Sequence, residues 1–420
     1  MSETADARPP RRPFRSALLW LPIAGVALGQ RFVLPGTSIA DLALAAFSAF
    51  ALLHLARAAK SLGPPRLPSW AKWLAALWAW AVVGGVAHAL LETDAFSFLE
   101  FSKSFAKLSF YAVAAVALHL VLREAPPGEA RRIALTAFAA AGAAAVLIYA
   151  AMLLQVPLPY HALWGHGPEA AYFNEQKWFG GAGNAGLFFL RAEGLASEPS
   201  RLGYLQAMAL AYLLLRPGVR PGLRLGLILL SLLLTFSLTA YALLLPILLL
   251  ALLARRREGR LAPGRRGLAL SAALLLLLLP LAPTLYRAVV VRASRMLSGS
   301  GDASSFLRVS GNWEMTYGLL ETNPVLGVGL GNYDVVAREL QAFLFEGRLL
   351  EGNIQGWNAF AYVLATTGVP GLLLLVAMLV SAFRGRGRLA VPFVLGMFAD
   401  GTFLGAAFWV FFALYTADDA

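Results

Sequence analysis

NAFAYVLATTGVPGLLLLVAMLVSA, residues 358–382, contains no charged side chain. A helix rises about 1.5 Å per residue, so roughly 20 apolar residues cross the ~30 Å hydrocarbon core of a bilayer. Inside a bilayer every backbone polar group needs an internal hydrogen bond, which a helix supplies. The stretch therefore predicts a transmembrane helix, and comparable apolar runs recur along the chain.

The composition of the whole chain agrees with this interpretation. Of its 420 residues 59% are hydrophobic and only 14% are charged, with a mean hydropathy of +0.67, far from soluble globular proteins. The apolar runs lack the alternation of a transmembrane β-barrel. We expect an all-α, polytopic transmembrane helical bundle in a lipid bilayer, with spans near 16–34, 38–56, 70–91, 104–122, 133–154, 200–215, 222–237, 240–254, 267–283 and 358–382.

Two details of the helix count stay open at this point. The last apolar stretch, residues 389–416, is long for one helix and short for two, and Asp400-Gly401 near its middle is suited to a tight turn. The bundle therefore has 11 or 12 helices. The polar, basic residues 1–15 precede an apolar run without a cleavage site, which indicates a retained first helix.

The basic residues predict the orientation in the membrane. The net charge is +12, and 22 of the 35 Lys and Arg residues lie in the tail and in short connections on one side of the predicted bundle. Short cytoplasmic loops concentrate Lys and Arg, so this side, together with the N-terminus, is expected to be cytoplasmic. The excess of positive charge is thus explained by the orientation of the protein in the membrane, and no nucleic-acid partner is expected.

This orientation places two long segments on the outer side of the membrane. The second of them shows helical spacing of apolar residues that include Trp313, and it ends at Asn323-Pro324, which favours helices lying on the membrane surface. The predicted divisions are a basic tail 1–15, transmembrane helices 16–154, a loop 155–199, transmembrane helices 200–283, a large loop 284–357, C-terminal transmembrane helices 358–416 and a tail 417–420.

Arginines are unexpectedly frequent on the outer side. A guanidinium is permanently charged and can bind two phosphate oxygens at once, so a pyrophosphate-linked lipid is a plausible partner. The alternative is that these side chains reach lipid headgroups or pair with Glu193 and Glu198. The candidates are Arg191, Arg201, Arg287, Arg292, Arg295 and Arg308.

Carboxylates on the same side are candidates for a general base. Glu198, Glu193 and Glu314 could each take a proton from a sugar hydroxyl. Glu198 precedes Pro199 near a helix start, where a carboxylate also stabilises the helix dipole, and that structural role is at least as good an explanation.

Other kinds of chemistry are disfavoured. The chain has no cysteine and no compact histidine motif for a metal, so we expect neither a metal site nor a cofactor. NPVLGVGLGNY, residues 323–333, fails as a nucleotide-binding signature because its spacing differs and no strand precedes it. A glycine-rich turn that approaches a ligand or another helix explains it better.

Three segments carry a resemblance to a known family. They are RAEGLASEPSRLG from residue 191, RVSGNWEMTYGLLETNPVLGVGLGNY at 308–333 and WNAFAYVLATTGVPG at 357–371. Their order between the predicted spans resembles the O-antigen ligase and polymerase superfamily, membrane enzymes of bacterial surface polysaccharide assembly. The resemblance implies a GT-C-like fold and metal-independent transfer of a glycan from undecaprenyl pyrophosphate to an acceptor hydroxyl. It also implies that the protein lies in the bacterial inner membrane with its active site facing the periplasm.

The resemblance also assigns residues. It implies that Arg191 and Arg308 neutralise the leaving pyrophosphate, with Arg201 as a weaker candidate. Ligases of the family carry a His-Asn pair before the glycine of the late helix, and this chain has Trp357-Asn358 before Gly368. Trp357 cannot take a proton, although it can stack on a sugar ring. Trp313, Trp357 and Asn358 are further candidates for substrate binding.

The missing histidine favours one activity among three. A polymerase joins one lipid-linked repeat unit to another, with a chain-length regulator as an expected partner. A ligase would attach the finished glycan to lipid A core. A transporter, the alternative of another class, should show repeated halves and charged or broken helices at mid-membrane. Few such features occur, so the sequence favours the polymerase.

Overall fold

A computed structural model describes residues 13–29, 32–34, 37–91, 96–154, 156, 192, 194–196, 199–216, 222–257, 312–337, 358–400 and 402–417. In these residues the chain forms α-helices and one small antiparallel hairpin, β1 (Phe32–Leu34) with β2 (Thr37–Ser38). The helices are α1 (Pro13–Leu28), α2 (Ile39–Leu62), α3 (Ala71–Leu90), α4 (Phe98–Glu124), α5 (Glu129–Leu153), α6 (Pro199–Leu214), α7 (Leu223–Leu234), α8 (Leu238–Arg257), α9 (Asn312–Thr322), α10 (Ala359–Ala382), α11 (Gly387–Asp400) and α12 (Ala406–Thr416).

Within the described residues, five helices are long and apolar enough to cross a membrane: Ile39–Ser61 of α2, α3, α4, α5 and α10. Parts of α1, α7, α8, α11 and α12 are apolar but shorter. This architecture confirms the prediction of an all-α, polytopic membrane protein. The predicted span at 267–283 lies outside the described residues.

Two helix boundaries differ from the hydropathy reading. The first helix ends at Leu28, and the β-hairpin follows where the helix was expected to continue to residue 34. Helix α4 begins at Phe98, earlier than predicted, because Ser97 Oγ accepts from Glu100 N and caps a first turn that contains charged residues. Hydropathy identifies apolar runs, but it does not detect the first turn of a helix when that turn is polar.

The C-terminal stretch, which the sequence left open as one helix or two, forms two helices, α11 and α12. They form a hairpin whose two ends meet, because Arg386 Nη1 donates to Thr416 O at 2.6 Å. Arg216 Nη2 donates to Leu414 O and Ala417 O at 2.9 and 2.8 Å, next to the same end of α12. Every residue of α12 is buried, and this helix packs against α4, α1 and α6 at the centre of the bundle.

The bundle has two distinct ends. The basic end contains the C-terminus of α12 and the connections 62–71, 124–129 and 382–387; Ser381 Oγ bonds Ser69 Oγ there at 3.0 Å. The opposite end, called here the glycine-loop end, contains the connections before α2 and α4 and the glycine loop, residues 323–332. The candidate site is built at this second end.

Candidate functional site

Helix α10 is broken into two segments. Gly368 has a φ of +66°, which is outside the helical range, and Pro370 has no N–H to donate. The sequence TTGVPG therefore ends the first segment of α10 and starts a second one. A break of this kind leaves backbone groups without their helical partners.

The glycine loop supplies partners for these backbone groups. In an unbroken helix Val369 N would donate to Ala365 O, four residues back. Here Val369 N donates to Pro324 O, and Ala365 O accepts from Val328 N instead, both at 2.9 Å. The loop and the break thus exchange hydrogen bonds, and each satisfies backbone groups of the other.

Glycine is required at the points of closest approach. Gly327 has a φ of +67°, and a Cβ there would collide with Ala365 O. Gly331 has a φ of +84°, and a Cβ there would collide with Glu100 O of α4. The loop can lie directly on two helices only because these residues lack a side chain.

Side chains of α3 and the α3–α4 connection bind the other side of the loop. His88 Nε2 donates to Gly327 O at 2.9 Å, and its ring stacks on Phe96 at 5.3 Å. Asn332 Oδ1 accepts from Ser97 N at 2.6 Å. The glycine loop therefore joins α3, α4 and α10, and we assign it a structural role.

Helix α9 lies parallel to the first segment of α10. Thr316 Oγ1 lies 3.3 Å from Ala361 O, and Val369 N donates to Pro324 O. In both contacts the two residues are 45 positions apart in sequence. Both helices therefore run in the same direction and begin side by side. By this register Asn312 lies next to Asn358, at the start of α10. The positive ends of two helix dipoles consequently converge at one place.

Asn312 is held at this place by Tyr333. Tyr333 Oη donates to Asn312 Oδ1 at 3.0 Å, and both side chains are buried. Burial, with the charge of Asp334, raises the pKa of Tyr333 above its ordinary value. The hydroxyl therefore stays protonated and keeps its donor role. Asn312 Nδ2 is buried and has no hydrogen-bond partner in the described part of the chain.

Arg201, a predicted phosphate ligand, lies on the first turns of α6. Its Nη1 donates to Thr402 Oγ1 at 3.3 Å, and its guanidinium lies 5.7 Å from the ring centre of Tyr204. Thr402 belongs to the turn between α11 and α12. Arg201 is half-buried and is thus positioned at the tip of the C-terminal hairpin.

Trp313, a predicted substrate-binding residue, joins an aromatic row. Its ring centre lies 6.1 Å from that of Tyr317 and 6.4 Å from that of Phe398 on α11. Phe398 also contacts Phe360 of α10 at 4.6 Å. Trp313 is half-buried, so part of its ring remains accessible beside the start of α9.

Asn358, another predicted binding residue, has a structural role in the described geometry. Its Oδ1 accepts from Phe360 N and Ala361 N at 3.0 and 3.1 Å, which caps α10. The side chain is 1% exposed. Capping fixes the beginning of α10 beside the beginning of α9.

The other predicted site residues lie outside the described part of the chain. Neighbours of Arg191 are described: Ala192 N donates to Leu234 O at 2.8 Å, and Gly194 packs on Ala145 of α5. Glu314 is described and exposed on the first turn of α9. Those outside are Arg191, Glu193, Glu198, Arg287, Arg292, Arg295, Arg308 and Trp357, and their roles remain predictions.

Sequence reasoning missed Asn312, Tyr333 and the contact of His88 with the loop. Asn312 lies within the quoted segment RVSGNWEMTYG, but an asparagine before a tryptophan carries no pattern that indicates burial. Within the described residues, no three His, Asp or Glu side chains group closely enough to hold a metal ion.

A comparison with known families connects this geometry to an activity. Residues 223–376 match a family model described as O-antigen ligase. The matched range contains α7, α8, α9, the glycine loop and the first segment of α10, the elements that build most of the site. No curated protein matches the chain. The family match confirms, over residues 223–376, the predicted relationship to the O-antigen ligase and polymerase superfamily.

Proposed function

We propose that this protein is a polysaccharide polymerase that transfers a glycan from undecaprenyl pyrophosphate to a hydroxyl of another lipid-linked repeat unit. The observation that carries the proposal is the family match, because it covers the paired helix starts and the glycine loop that holds them. A membrane bundle gives a lipid-linked substrate direct access to such a site.

The chemistry follows from charge. The acceptor oxygen attacks the anomeric carbon of the donor sugar, the bond from that carbon to the pyrophosphate oxygen breaks, and the bonding electrons leave with the pyrophosphate. Arg191 and Arg308, assisted by Arg201, neutralise this leaving group. Donors placed where charge develops typically change the rate by about 10²–10³ each.

The proton of the acceptor hydroxyl goes to a base, for which we propose Glu198. Its place in EPS, directly before α6, puts it close in sequence to Arg201 at the hairpin tip. Trp313 and Trp357 are proposed to stack on sugar rings, with Asn358 and the arginines Arg287, Arg292 and Arg295 completing the binding surface. No metal or other cofactor takes part in the proposed reaction.

The polymerase is favoured over a ligase by Trp357, which stands where ligases of the family carry histidine. The ligase is the second candidate, because the matching family model is described as O-antigen ligase. Both activities use the same donor and the same leaving group. They differ in the acceptor, which is a second lipid-linked glycan for the polymerase and lipid A core for the ligase.

We further propose that the basic end is cytoplasmic and that the glycine-loop end faces the periplasm across the inner membrane. Arg216 and Arg386 support this orientation, since both bind backbone carbonyls at the basic end. A chain-length regulator is the proposed protein partner.

The test uses purified protein and a lipid-linked oligosaccharide, with a chelator and without nucleotide. Products are resolved on a gel. A ladder of chain lengths supports the polymerase, whereas a single shifted band that requires added lipid A core supports the ligase. Absence of product with both acceptors contradicts glycosyl transfer.

A further inference from the structure

The starts of α9 and α10 lie side by side and point in the same direction. Helix α9 has 11 residues, and the first segment of α10 runs from Ala359 to the break at Gly368, so each has a dipole with its positive end at this place. Free backbone N–H groups at helix starts commonly bind anions. Asn358 Oδ1 already accepts from two N–H groups of α10, so this pair of ends alone defines no ligand.

Asn312 provides the independent observation. Its side chain is 3% exposed, yet Nδ2 has no hydrogen-bond partner in the described part of the chain. A buried donor without a partner destabilises the fold, and native proteins rarely keep one without a reason. Tyr333 holds the oxygen of the same amide, so Nδ2 is directed away from Tyr333.

The chemistry of the missing partner follows from its surroundings. Nδ2 requires an acceptor, and two positive helix ends favour an acceptor that carries negative charge. Arg308 precedes Asn312 by four positions in sequence. Glu314 on the same helix is a competing negative charge, but it is exposed to solvent, which weakens its influence.

We infer that Asn312 Nδ2 donates a hydrogen bond to a phosphate oxygen of the lipid-linked glycan, at the paired starts of α9 and α10. This inference rests on the proposed function and adds a binding residue to it. Asn312 is fixed before the ligand arrives, because Tyr333 sets its orientation. Such a preorganised donor binds without the entropic cost of ordering a mobile side chain.

The experiment measures binding of undecaprenyl pyrophosphate to the full-length protein in nanodiscs. Asn312→Asp keeps the oxygen that Tyr333 uses but replaces the donor with an acceptor. We expect its dissociation constant to rise by about 10- to 100-fold, as for loss of a hydrogen bond to a charged group. Asn312→Ala removes the donor without adding charge, and we expect a rise of at least about fivefold.

Gln206→Glu is the matched control. Gln206 is also a fully buried amide side chain, but it lies on α6, away from the glycine loop, and its Nε2 donates to Phe138 O at 3.2 Å. We expect this variant to bind undecaprenyl pyrophosphate with a dissociation constant within about threefold of that of the wild type, since it leaves Nδ2 of Asn312 in place. Thermal melting curves in the same nanodiscs show whether each variant is folded.

Further probes separate the outcomes. Undecaprenol, which lacks phosphate, should bind equally to the wild type and to Asn312→Asp. If inorganic pyrophosphate binds as tightly as undecaprenyl pyrophosphate, the site binds a free anion. That result would overturn the inference that the ligand is a lipid-linked phosphate. If the folded Asn312→Ala variant binds the lipid like the wild type, Asn312 is not a phosphate ligand.

The result also distinguishes this inference from the proposed function. If the wild type produces glycan ladders and the Asn312 variants bind and react normally, the inference about Asn312 is wrong. The proposed polymerase activity is then still supported. A wild type that neither binds undecaprenyl pyrophosphate nor forms product overturns both.

Discussion

The backbone N–H of Val369 donates to the carbonyl of Pro324 at 2.9 Å, across 45 residues of sequence. This bond exists because α10 breaks at Gly368 and gives up its own partner. The position of α9 beside α10, and therefore the candidate site, depends on it. The glycine loop is consequently the element whose substitution should disturb the site most.

Gly327→Ala should destabilise the protein strongly. A Cβ at Gly327 collides with Ala365 O, in addition to the cost of a positive φ of +67°. Gly385→Ala is a matched control, because Gly385 also has a positive φ of +78° but no atom within 4 Å of the added Cβ. Both variants carry the conformational cost of about 1–2 kcal/mol, and only Gly327→Ala adds the collision. Melting temperatures in nanodiscs measure the difference; equal values for the two variants would contradict the close contact.

Arg216→Ala should destabilise the C-terminal hairpin. Arg216 Nη2 donates to Leu414 O and Ala417 O, where the last carbonyls of α12 lack helical partners. Loss of hydrogen bonds from a charged group should cost about 1.5–3 kcal/mol of unfolding free energy. Arg224→Ala is the control, because its hydrogen bond to Thr136 is exposed. Denaturant titration in detergent compares the two variants, and equal free energies of unfolding would contradict the capping role of Arg216.

Arg308→Ala and Arg191→Ala should abolish polymer formation while leaving membrane insertion unchanged. Each removes charge that the proposed reaction needs at the leaving pyrophosphate, so turnover should fall by about 100-fold or more. Arg132→Ala is the control, since Arg132 is exposed and pairs with Glu129 at 2.7 Å. The gel assay with lipid-linked oligosaccharide measures chain growth. Wild-type ladders from either variant would remove that arginine from the mechanism.

Trp313→Ala should weaken binding of the glycan more than it slows the chemical step. Its half-buried ring lies beside Tyr317 and Phe398, and aromatic stacking contributes about 0.5–1.5 kcal/mol, so KM should rise by about two- to tenfold. Trp313→Phe should recover most of this loss. Trp78→Ala is the control, because Trp78 lies on α3 against Phe105. A fall in kcat with unchanged KM would argue against a sugar platform.

Hydropathy and helix signals predict most of the architecture. Apolar length alone identifies α2, α3 and α5, and Asn323-Pro324 ends α9 where expected. The end of α1 was wrong by six residues because the segment up to Leu34 is apolar enough for either a helix or a strand. Apolar composition reports burial in the bilayer and says little about backbone conformation near its surface.

The site was less predictable because its contacts join distant parts of the chain. Arg201, Trp313 and Asn358 were named from sequence, yet the capping bonds of Asn358 became visible only with the start of α10. Asn312 was missed because its distinguishing property is an absent partner for Nδ2, which no local pattern encodes. The parallel packing of α9 on α10 likewise depends on a hydrogen-bond exchange that only the folded chain displays.

The C-terminal hairpin has a consequence for how a lipid reaches the site. Helix α12 has 11 residues and so covers about 16 Å, roughly half of the hydrocarbon thickness, and it returns to the end from which α11 started. The hairpin is therefore shorter than a full membrane crossing, and at its tip Thr402 meets Arg201 and Phe398 approaches Trp313. We propose that the lipid-linked substrate of the proposed reaction approaches the candidate site from the side of the bundle, next to this short hairpin.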